Sequence, residues 1–324
     1  MVPPRLLRAV CAACLSAAAA LAAAQDYPTR AVKMIVPSSP AAGLDLFSRA
    51  LANQLSAKWG QQIFIVNRPG GSGTIGVVEG AQSPPDGYTL LMATDQTMSI
   101  VPHLFQKVPY KPSDFIPVTQ VLATYFVLVA HPSFPSNSIA ELVQHAKRNP
   151  GKVNYASNGI GSTAHLAGEL FKADAGIDLT MVPYKGIAPA QQAVLANEVE
   201  LAFVGTATAP YHLNQGKLKA LAIASPSRSP ALPKVPTFAE SGYPGVESPI
   251  WFGIFLPAGT PAAIVTKLHR DIVAVISDPE FREKELLQKG FQPVGSSPAE
   301  FTEFLKHDSA LRGRAVKLSG AKPE

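Results

Sequence analysis

Residues 154–171 read NYASNGIGSTAHLAGELF, a short extended run followed by a glycine-containing turn and a helix pattern. Gly159 and Gly161 can adopt backbone angles that other residues avoid, and they let a ligand approach the backbone amides closely. Ser162 or Thr163 caps the following helix, whose positive N-terminal end favours an anion. The stretch therefore predicts a phosphate or carboxylate site, unless it is only a strand-to-helix turn.

Strand patterns alternate with helix patterns along the chain, which is typical of α/β proteins with largely parallel sheets. We expect a buried strand at 32–37, an amphipathic helix at 44–60, and two apolar extended runs at 115–122 and 125–132. Eight prolines between 226 and 261 predict an ordered crossing segment there rather than a helix. Three helices should finish the chain.

Residues 1–24 are typical of an export signal, because two arginines precede an apolar run of small residues that ends at Ala24. Cleavage is expected between Ala24 and Gln25. No later stretch approaches the roughly 20 apolar residues that a membrane-spanning helix needs, so we expect a soluble periplasmic protein. Both cysteines lie inside the signal, so the hydrophobic core, rather than disulfides, should stabilise the mature chain.

The net charge of the chain limits the kinds of ligand and macromolecule that it is expected to bind. The signal carries two arginines and no acidic residue, so its removal lowers the formal net charge from +5 to +3. This mildly basic balance suits an anionic or a neutral ligand. The sequence has no cluster of lysines and arginines with interleaved aromatics, and we expect no nucleic-acid partner.

A second glycine motif leaves an alternative function open. Gly71-x-Gly73-x-x-Gly76 follows a predicted strand and matches the dinucleotide-binding fingerprint. Asp95 ends the next strand, about where a ribose-binding acid is expected. Pro69 stiffens the turn, however, and an exported protein meets little nicotinamide cofactor. The alternative is an exported nucleotide-dependent enzyme that uses this loop.

Other catalytic patterns are absent from the sequence. It has no Gly-x-Ser-x-Gly elbow, no histidine cluster with metal-ligand spacing, and no cysteine after residue 24. His165 could act as a base toward Ser162, but a histidine there is more often a polar residue in the first turns of a helix. We therefore expect no enzyme activity, no cofactor and no metal.

Several stretches together resemble a known family. They are VNRPGGSGTIGVVEGAQSPPDGYTLLMA (66–93), NYASNGIGSTAHLAGELF (154–171), VPYKG (182–186), LPKVPTFAESGYPG (232–245) and WFGIFLPAGTP (251–261). The combination resembles the periplasmic solute receptors of tripartite tricarboxylate transporters, often called Bug proteins. The resemblance runs in order from about residue 27 to about residue 320.

The resemblance implies an α/β protein with the type II periplasmic binding-protein fold, in which two α/β lobes joined by crossing strands close on a ligand cleft. Residues 25–123 and 247–324 would form lobe 1, and 124–246 lobe 2. It also implies a non-catalytic receptor that binds a small-molecule organic acid, aliphatic or aromatic, and delivers it to a membrane permease. Together with the signal pattern, we expect the mature protein to be a monomer. Neither the acid, its number of carboxyl groups, the affinity nor the permease follows from the sequence.

In this family two strand-to-helix loops, one on each lobe, bind the ligand carboxylate largely through backbone amides and waters. They fall here on 38–45 and 157–165. Where the family commonly has Phe-x-Pro-Gly-Gly, the first loop reads SSPAAG (38–43). Loss of an aromatic residue and a glycine changes the space available to a ligand and the conformational freedom of the loop backbone. The turn at 159–163 should be exposed, with its amides facing the ligand.

The candidate ligand-binding residues include neighbouring loop positions as well. The full set is Ser39, Pro40, Ala41, Ala42, Gly43, Leu44, Asp45, Thr94, Asp95, Ser157, Asn158, Gly159, Ile160, Gly161, Ser162, Thr163, His165, Tyr184, Lys185, Gly205 and Thr206. Asp45 and Lys185 each have an alternative role that does not involve the ligand. Asp45 suits the first turn of a helix as a dipole partner, and Lys185 is equally compatible with a solvated lysine.

Overall fold

The computed structural model describes residues 27–40, 42–184, 186–206 and 208–321. The expected signal, its cleavage site, and the site candidates Ala41 and Lys185 lie outside the described residues. Within the described ranges, no helix is long and apolar enough to span a bilayer.

Strands and helices alternate as the sequence predicts. The strands are β1 (Val32–Val36), β2 (Ile63–Asn67), β3 (Thr89–Thr94), β4 (Phe115–Ala130), β5 (Asn154–Ser157), β6 (Thr180–Pro183), β7 (Leu201–Gly205), β8 (Lys219–Ile223), β9 (Pro249–Pro257) and β10 (Gln292–Pro293). The α-helices are α1 (Gly43–Trp59), α2 (Thr74–Ala81), α3 (Val101–Leu104), α4 (Ile139–Arg148), α5 (Thr163–Ala175), α6 (Ile187–Leu195), α7 (Ala209–Asn214), α8 (Ala262–Ser277), α9 (Pro279–Phe281) and α10 (Pro298–Ser319).

The strands form one ten-stranded sheet in the order β2-β1-β3-β9-β4-β7-β5-β6, with β8 and β10 also paired to β4. Strands β1, β2 and β3 are parallel, as are β5, β6 and β7. We call the part with β1–β3, β9 and β10 lobe 1, and the part with β5–β8 lobe 2. Each lobe thus has a parallel α/β unit, which confirms the predicted fold class.

Strand β4 connects the two lobes. Its residues 115–125 pair with β9, whereas 126–130 pair with β7. The two apolar runs expected at 115–122 and 125–132 are therefore one continuous strand over most of their length. The proline-rich segment contributes the second crossing element, β9, and its interior position in the sheet explains why nearly all of β9 is buried.

The hydrophobic core follows the same division. Val32, Met34 and Phe47 belong to a cluster in lobe 1, and Tyr155 and Phe171 belong to one in lobe 2. Burial of such side chains contributes about 1.5–3 kcal/mol each. Each lobe therefore has its own core.

Helix α10 contacts both cores. Ser297 and Glu300 form the capping box that the sequence predicts at its start. Phe301, near this end, packs at right angles to Trp251 in lobe 1, with ring centroids 5.5 Å apart. Val316, near the other end, packs in the lobe 2 cluster. One helix of 22 residues thus spans the boundary between the lobes.

The sequence predicts a helix over 279–290, and the structure has an irregular helix there, continuous from residue 279 to residue 289. The segment divides into the single turn α9, a π-helical turn at Arg282–Leu286 and a 3₁₀ turn at Leu287–Lys289. Phe281 and Leu286, five residues apart, are both buried, so packing against the core accompanies the π-helical turn between them.

Candidate functional site

The predicted site loops lie at the carboxyl ends of parallel strands, where open α/β sheets place ligands. The loop at 38–45 follows β1 and opens α1, and the loop at 157–165 follows β5 and opens α5. Strand β3 lies beside β1, so the segment that begins at Asp95 adjoins the first loop. Asp95 in turn contacts Thr163 on lobe 2. The two loops are therefore brought to the same region between the lobes.

Asp45 holds the first loop in place. It is 1% exposed, and its carboxylate accepts from Nδ2 of Asn67 at 2.8 Å and from Nε of Arg49 at 3.0 Å. Asn67 also donates to the carbonyl of Ser38, 3.1 Å away. These bonds tie the beginning and the end of the loop to strand β2. The structure thus gives Asp45 a structural role within the protein.

The N-terminus of α1 is suited to an anion. Ala42 is its N-cap, with φ −70° and ψ 158°, and the alanine side chain has no polar atom that could cap the first amides. A helix of 17 residues has a full macrodipole, and its first amides have no acceptors within the helix. Ser39, Pro40 and Gly43 are exposed around this end, whereas Leu44 is buried.

The second loop uses several of its amides internally. The N–H of Gly161 donates to Nδ1 of His165 at 3.0 Å, and the N–H of Ser162 donates to the carbonyl of Gly159 at 3.2 Å. The hydroxyl of Ser162 accepts from the N–H of His165 at 3.3 Å, and the hydroxyl of Ser157 accepts from the N–H of Gly159 at 3.4 Å. These donors stabilise the turn itself.

Gly161 is buried, whereas Ile160 of the same turn is exposed, so the expectation of an exposed turn is wrong at Gly161. Its φ of +71° favours glycine, and a Cβ built there would lie 3.0 Å from Cδ2 of Leu104 on α3. The absence of a side chain at Gly161 therefore serves a close approach between lobe 1 and lobe 2.

His165 supports this turn from inside the protein. The residue is 4% exposed, and burial lowers the pKa of its imidazole. Because Nδ1 accepts from Gly161, the neutral ring carries its proton on Nε2, which lies 3.9 Å from Oε1 of Glu169. The neutral tautomer therefore fits both neighbours.

Ile160 and Asn158 of the second loop each have a group that the protein does not fully contact. Ile160 is 47% exposed. Among the described residues, Oδ1 of Asn158 is one of the buried side-chain acceptors without a hydrogen-bond partner. A buried polar atom of this kind calls for a ligand or a water. Asn158 is thus a candidate whose side-chain oxygen needs a hydrogen-bond donor from outside the protein.

Asp95 and Thr163 are bonded to each other. Oγ1 of Thr163 donates to Oδ2 of Asp95 at 2.7 Å, and Nη2 of Arg312 lies 3.7 Å from the same oxygen. Burial raises the pKa of Asp95 to about 6, although Arg312 and the hydrogen bond from Thr163 lower it. Both candidates are buried between the lobes, and their hydrogen-bonding groups contact the protein.

The remaining candidates lie at the ends of strands β3, β6 and β7. Thr206 is buried, and its hydroxyl lies 3.1 Å from the hydroxyl of Thr124 on β4. A Cβ on Gly205 would meet no atom within 4 Å. Tyr184 is half-buried at the end of β6, and the amide of Thr94 donates to the hydroxyl of Thr97 at 3.2 Å.

The glycine loop after β2 is explained by packing. A Cβ on Gly73 would lie 2.5 Å from Cγ2 of Thr97, and one on Gly76 would lie 3.1 Å from Cβ of Pro37. The protein itself therefore occupies the space where the fingerprint would admit a pyrophosphate. Asp95, which the alternative assigns to a ribose, is bonded to Thr163. The geometry does not fit a dinucleotide site.

Sequence reasoning missed three supporting residues. Arg49 and Asn67 hold Asp45, and Arg312 faces Asp95 from helix α10. The spacing of Asp45 and Arg49 is an ordinary helical i,i+4 pair, which could have indicated their contact. Within the described residues, no group of His, Cys, Asp and Glu side chains could hold a metal ion.

Comparison with known proteins identifies the family. The model of the tripartite tricarboxylate transporter family receptor matches residues 47–320. The chain belongs to this family. Its relatives include the protein BugT of Bordetella pertussis, which is 36% identical over 94% of this chain and 94% of its own length.

Solved structures of related receptors share the fold. R. palustris Rpa4515, solved with adipate, is 33% identical, with a TM-score of 0.75 over 92% of this chain and 100% of that protein. MatC from Rhodopseudomonas palustris, solved with bound malate, is 29% identical, with a TM-score of 0.71 over 90% of this chain and 100% of that protein. The two-lobed periplasmic binding-protein architecture expected from the sequence is confirmed, and the enzyme alternative does not fit this family.

Proposed function

We propose that this tripartite tricarboxylate transporter receptor binds an organic acid between its lobes, with the carboxylate received at the loops 38–45 and 157–165. The observation that carries this proposal is the pair of related receptors with adipate and malate, both of which match about nine-tenths or more of this chain. Both ligands are carboxylic acids. The proposed ligand is therefore a carboxylate, aliphatic or aromatic.

The local chemistry supports an anion at this place. The N-terminus of α1 has no side-chain cap at Ala42, and a helix N-terminus stabilises a negative group by up to about 2 kcal/mol in a partly buried site. Asn158 adds a polar side chain with an unsatisfied buried atom. Its amide group can turn to donate to a carboxylate oxygen.

The role of the protein in transport follows from this proposal. A receptor of this kind acts without catalysis or cofactor: it holds the acid and releases it to the membrane permease of the transporter. We propose that the lobes rotate about hinges near 124 and 247, where the chain crosses between them. The mature protein would be a periplasmic monomer that begins near Gln25, and the mass of the protein recovered from the periplasm tests this cleavage site.

A thermal-shift screen tests the ligand class. The panel contains aliphatic and aromatic mono-, di- and tricarboxylates, with NAD as the control for the nucleotide alternative. A ligand present at a hundred times its dissociation constant stabilises the protein by about 2.7 kcal/mol, which is readily detected. At least one carboxylate should raise the unfolding temperature, and NAD should not. A response to NAD, or to no carboxylate in a broad panel, would refute the proposal.

A further inference from the structure

A buried cluster of polar side chains joins the two lobes beside the second loop. It consists of Asp95 from lobe 1, Thr163 from lobe 2, Ser248 at the start of the crossing strand β9, and Asp308 and Arg312 from helix α10. All five are less than 9% exposed, and Arg312 is 0% exposed. We call this cluster the interlobe junction.

Arg312 is the centre of the junction. Its Nε donates to Oδ1 of Asp308 at 3.2 Å, its Nη1 donates to Oγ of Ser248 at 3.0 Å, and its Nη2 donates to the carbonyl of Pro249. Nη2 also lies 3.7 Å from Oδ2 of Asp95. One guanidinium therefore connects helix α10, the beginning of β9 and the end of β3.

Thr163 connects lobe 2 to this centre through two bonds. Its hydroxyl donates to Asp95 at 2.7 Å, and its carbonyl accepts from the hydroxyl of Ser248 at 3.2 Å. Thr163 is the first residue of α5, directly after the turn that contains Gly161. The position of the second loop relative to lobe 1 thus depends on these bonds.

We propose that the interlobe junction sets the orientation of lobe 2 relative to lobe 1, with Thr163 and Arg312 as positioning residues. A buried Arg with two carboxylates is costly to separate, because a charge left without its partner inside the protein is strongly unfavourable. Two packed bodies held by such a cluster have few orientations of similar energy. The proposal concerns the protein without ligand and goes beyond the binding function.

Distance measurements between spin labels test this proposal. Residues 27–321 contain no cysteine, so single cysteines can be introduced at Gln54 on α1 and Gln144 on α4, both exposed. Thr163→Val removes the hydroxyl with little change of shape, and Thr163→Ser keeps it. Thr260→Val is the matched control, because Thr260 is also buried and its hydroxyl donates to the carbonyl of Pro257, three residues away in the same lobe.

In the ligand-free protein, Thr163→Val should broaden or shift the distribution of interlobe distances. Loss of one hydrogen bond to a charged acceptor lowers the population of the original orientation about tenfold to a hundredfold relative to its competitors. Thr163→Ser and Thr260→Val should keep the wild-type distribution.

A second variant keeps the proposal testable if Thr163→Val does not fold. Ser248→Ala removes the bond to the carbonyl of Thr163 and one acceptor of Arg312, and it should give the same change in distribution. A folded Thr163→Val or, if that variant does not fold, a folded Ser248→Ala with the wild-type distance distribution would overturn the proposal. Because no ligand enters the measurement, this result is independent of the ligand screen.

Discussion

The backbone N–H of Gly161 donates to Nδ1 of His165, 3.0 Å away, within the loop that opens helix α5. The bond closes the turn over four residues and fixes the tautomer of a buried imidazole. His165 thus shapes the loop from beneath, and its effect on a ligand would be indirect.

Replacing His165 by Ala should destabilise the protein and weaken carboxylate binding together. The substitution leaves the amide of Gly161 without its acceptor, and a buried unsatisfied donor costs about 1–3 kcal/mol. Urea unfolding and calorimetric titration measure the two effects. His165→Asn is the control, because its side-chain oxygen can accept in place of Nδ1 and should restore most of both quantities. Full stability in His165→Ala would show that the bond is unimportant.

Replacing Gly161 by Val should change the contact between the lobes. The valine side chain would contact Leu104. Valine also rarely adopts a positive φ, so the backbone would be strained by roughly 1–3 kcal/mol. The double variant with Leu104→Ala separates the two causes, since it relieves the steric contact and leaves the backbone strain. Unfolding free energies of the two single variants and the double variant should be non-additive. Additive values would indicate that Gly161 and Leu104 do not interact.

The stability of the protein should depend on pH through Asp95. Burial raises the pKa of Asp95 to about 6, so the folded protein takes up a proton there below about pH 6. The unfolded chain takes it up only near pH 4. Because the folded state binds more protons in this interval, the contribution of Asp95 to stability increases as the pH falls from 7 to 4.

The variant Asp95→Asn isolates this effect, because it cannot titrate at that position. As the pH falls from 7 to 4, wild type should gain about 1–3 kcal/mol of unfolding free energy relative to the variant. The lowered pKa of His165 has the opposite effect on stability. Below about pH 6.5 the unfolded chain takes up a proton at this histidine more readily than the folded protein does, so stability decreases as the pH falls. His165 is present in both proteins, so its contribution cancels in the difference. A difference that stays constant with pH would contradict the shifted pKa.

The sequence predicts the order of strands and helices and the two loops well, because hydrophobic periodicity and capping residues are local signals. It does not reveal that Gly161 packs against Leu104, since the two residues are distant in the chain. The pair Asp308 and Arg312 looks like an ordinary solvent-exposed i,i+4 pair. Only contact with Ser248 and β9 makes it a buried junction. Packing between distant segments therefore decides what the local pattern leaves open.

The central claim is that a ligand carboxylate is received at the N-terminus of α1, where the N-cap is Ala42. Calorimetric titration of Ala42→Asp with the acid found in the screen tests this claim most directly. An aspartate at this N-cap supplies its own carboxylate to the helix amides, which typically adds about 0.5–2 kcal/mol to stability, and it repels an incoming anion. Pro261→Asp is the matched control, because Pro261 is the N-cap of α8, also has no side-chain cap, and lies outside the candidate loops. We predict that Ala42→Asp folds at least as stably as wild type and binds the acid at least about tenfold more weakly, while Pro261→Asp binds normally. Wild-type affinity in a well-folded Ala42→Asp variant would contradict the claim.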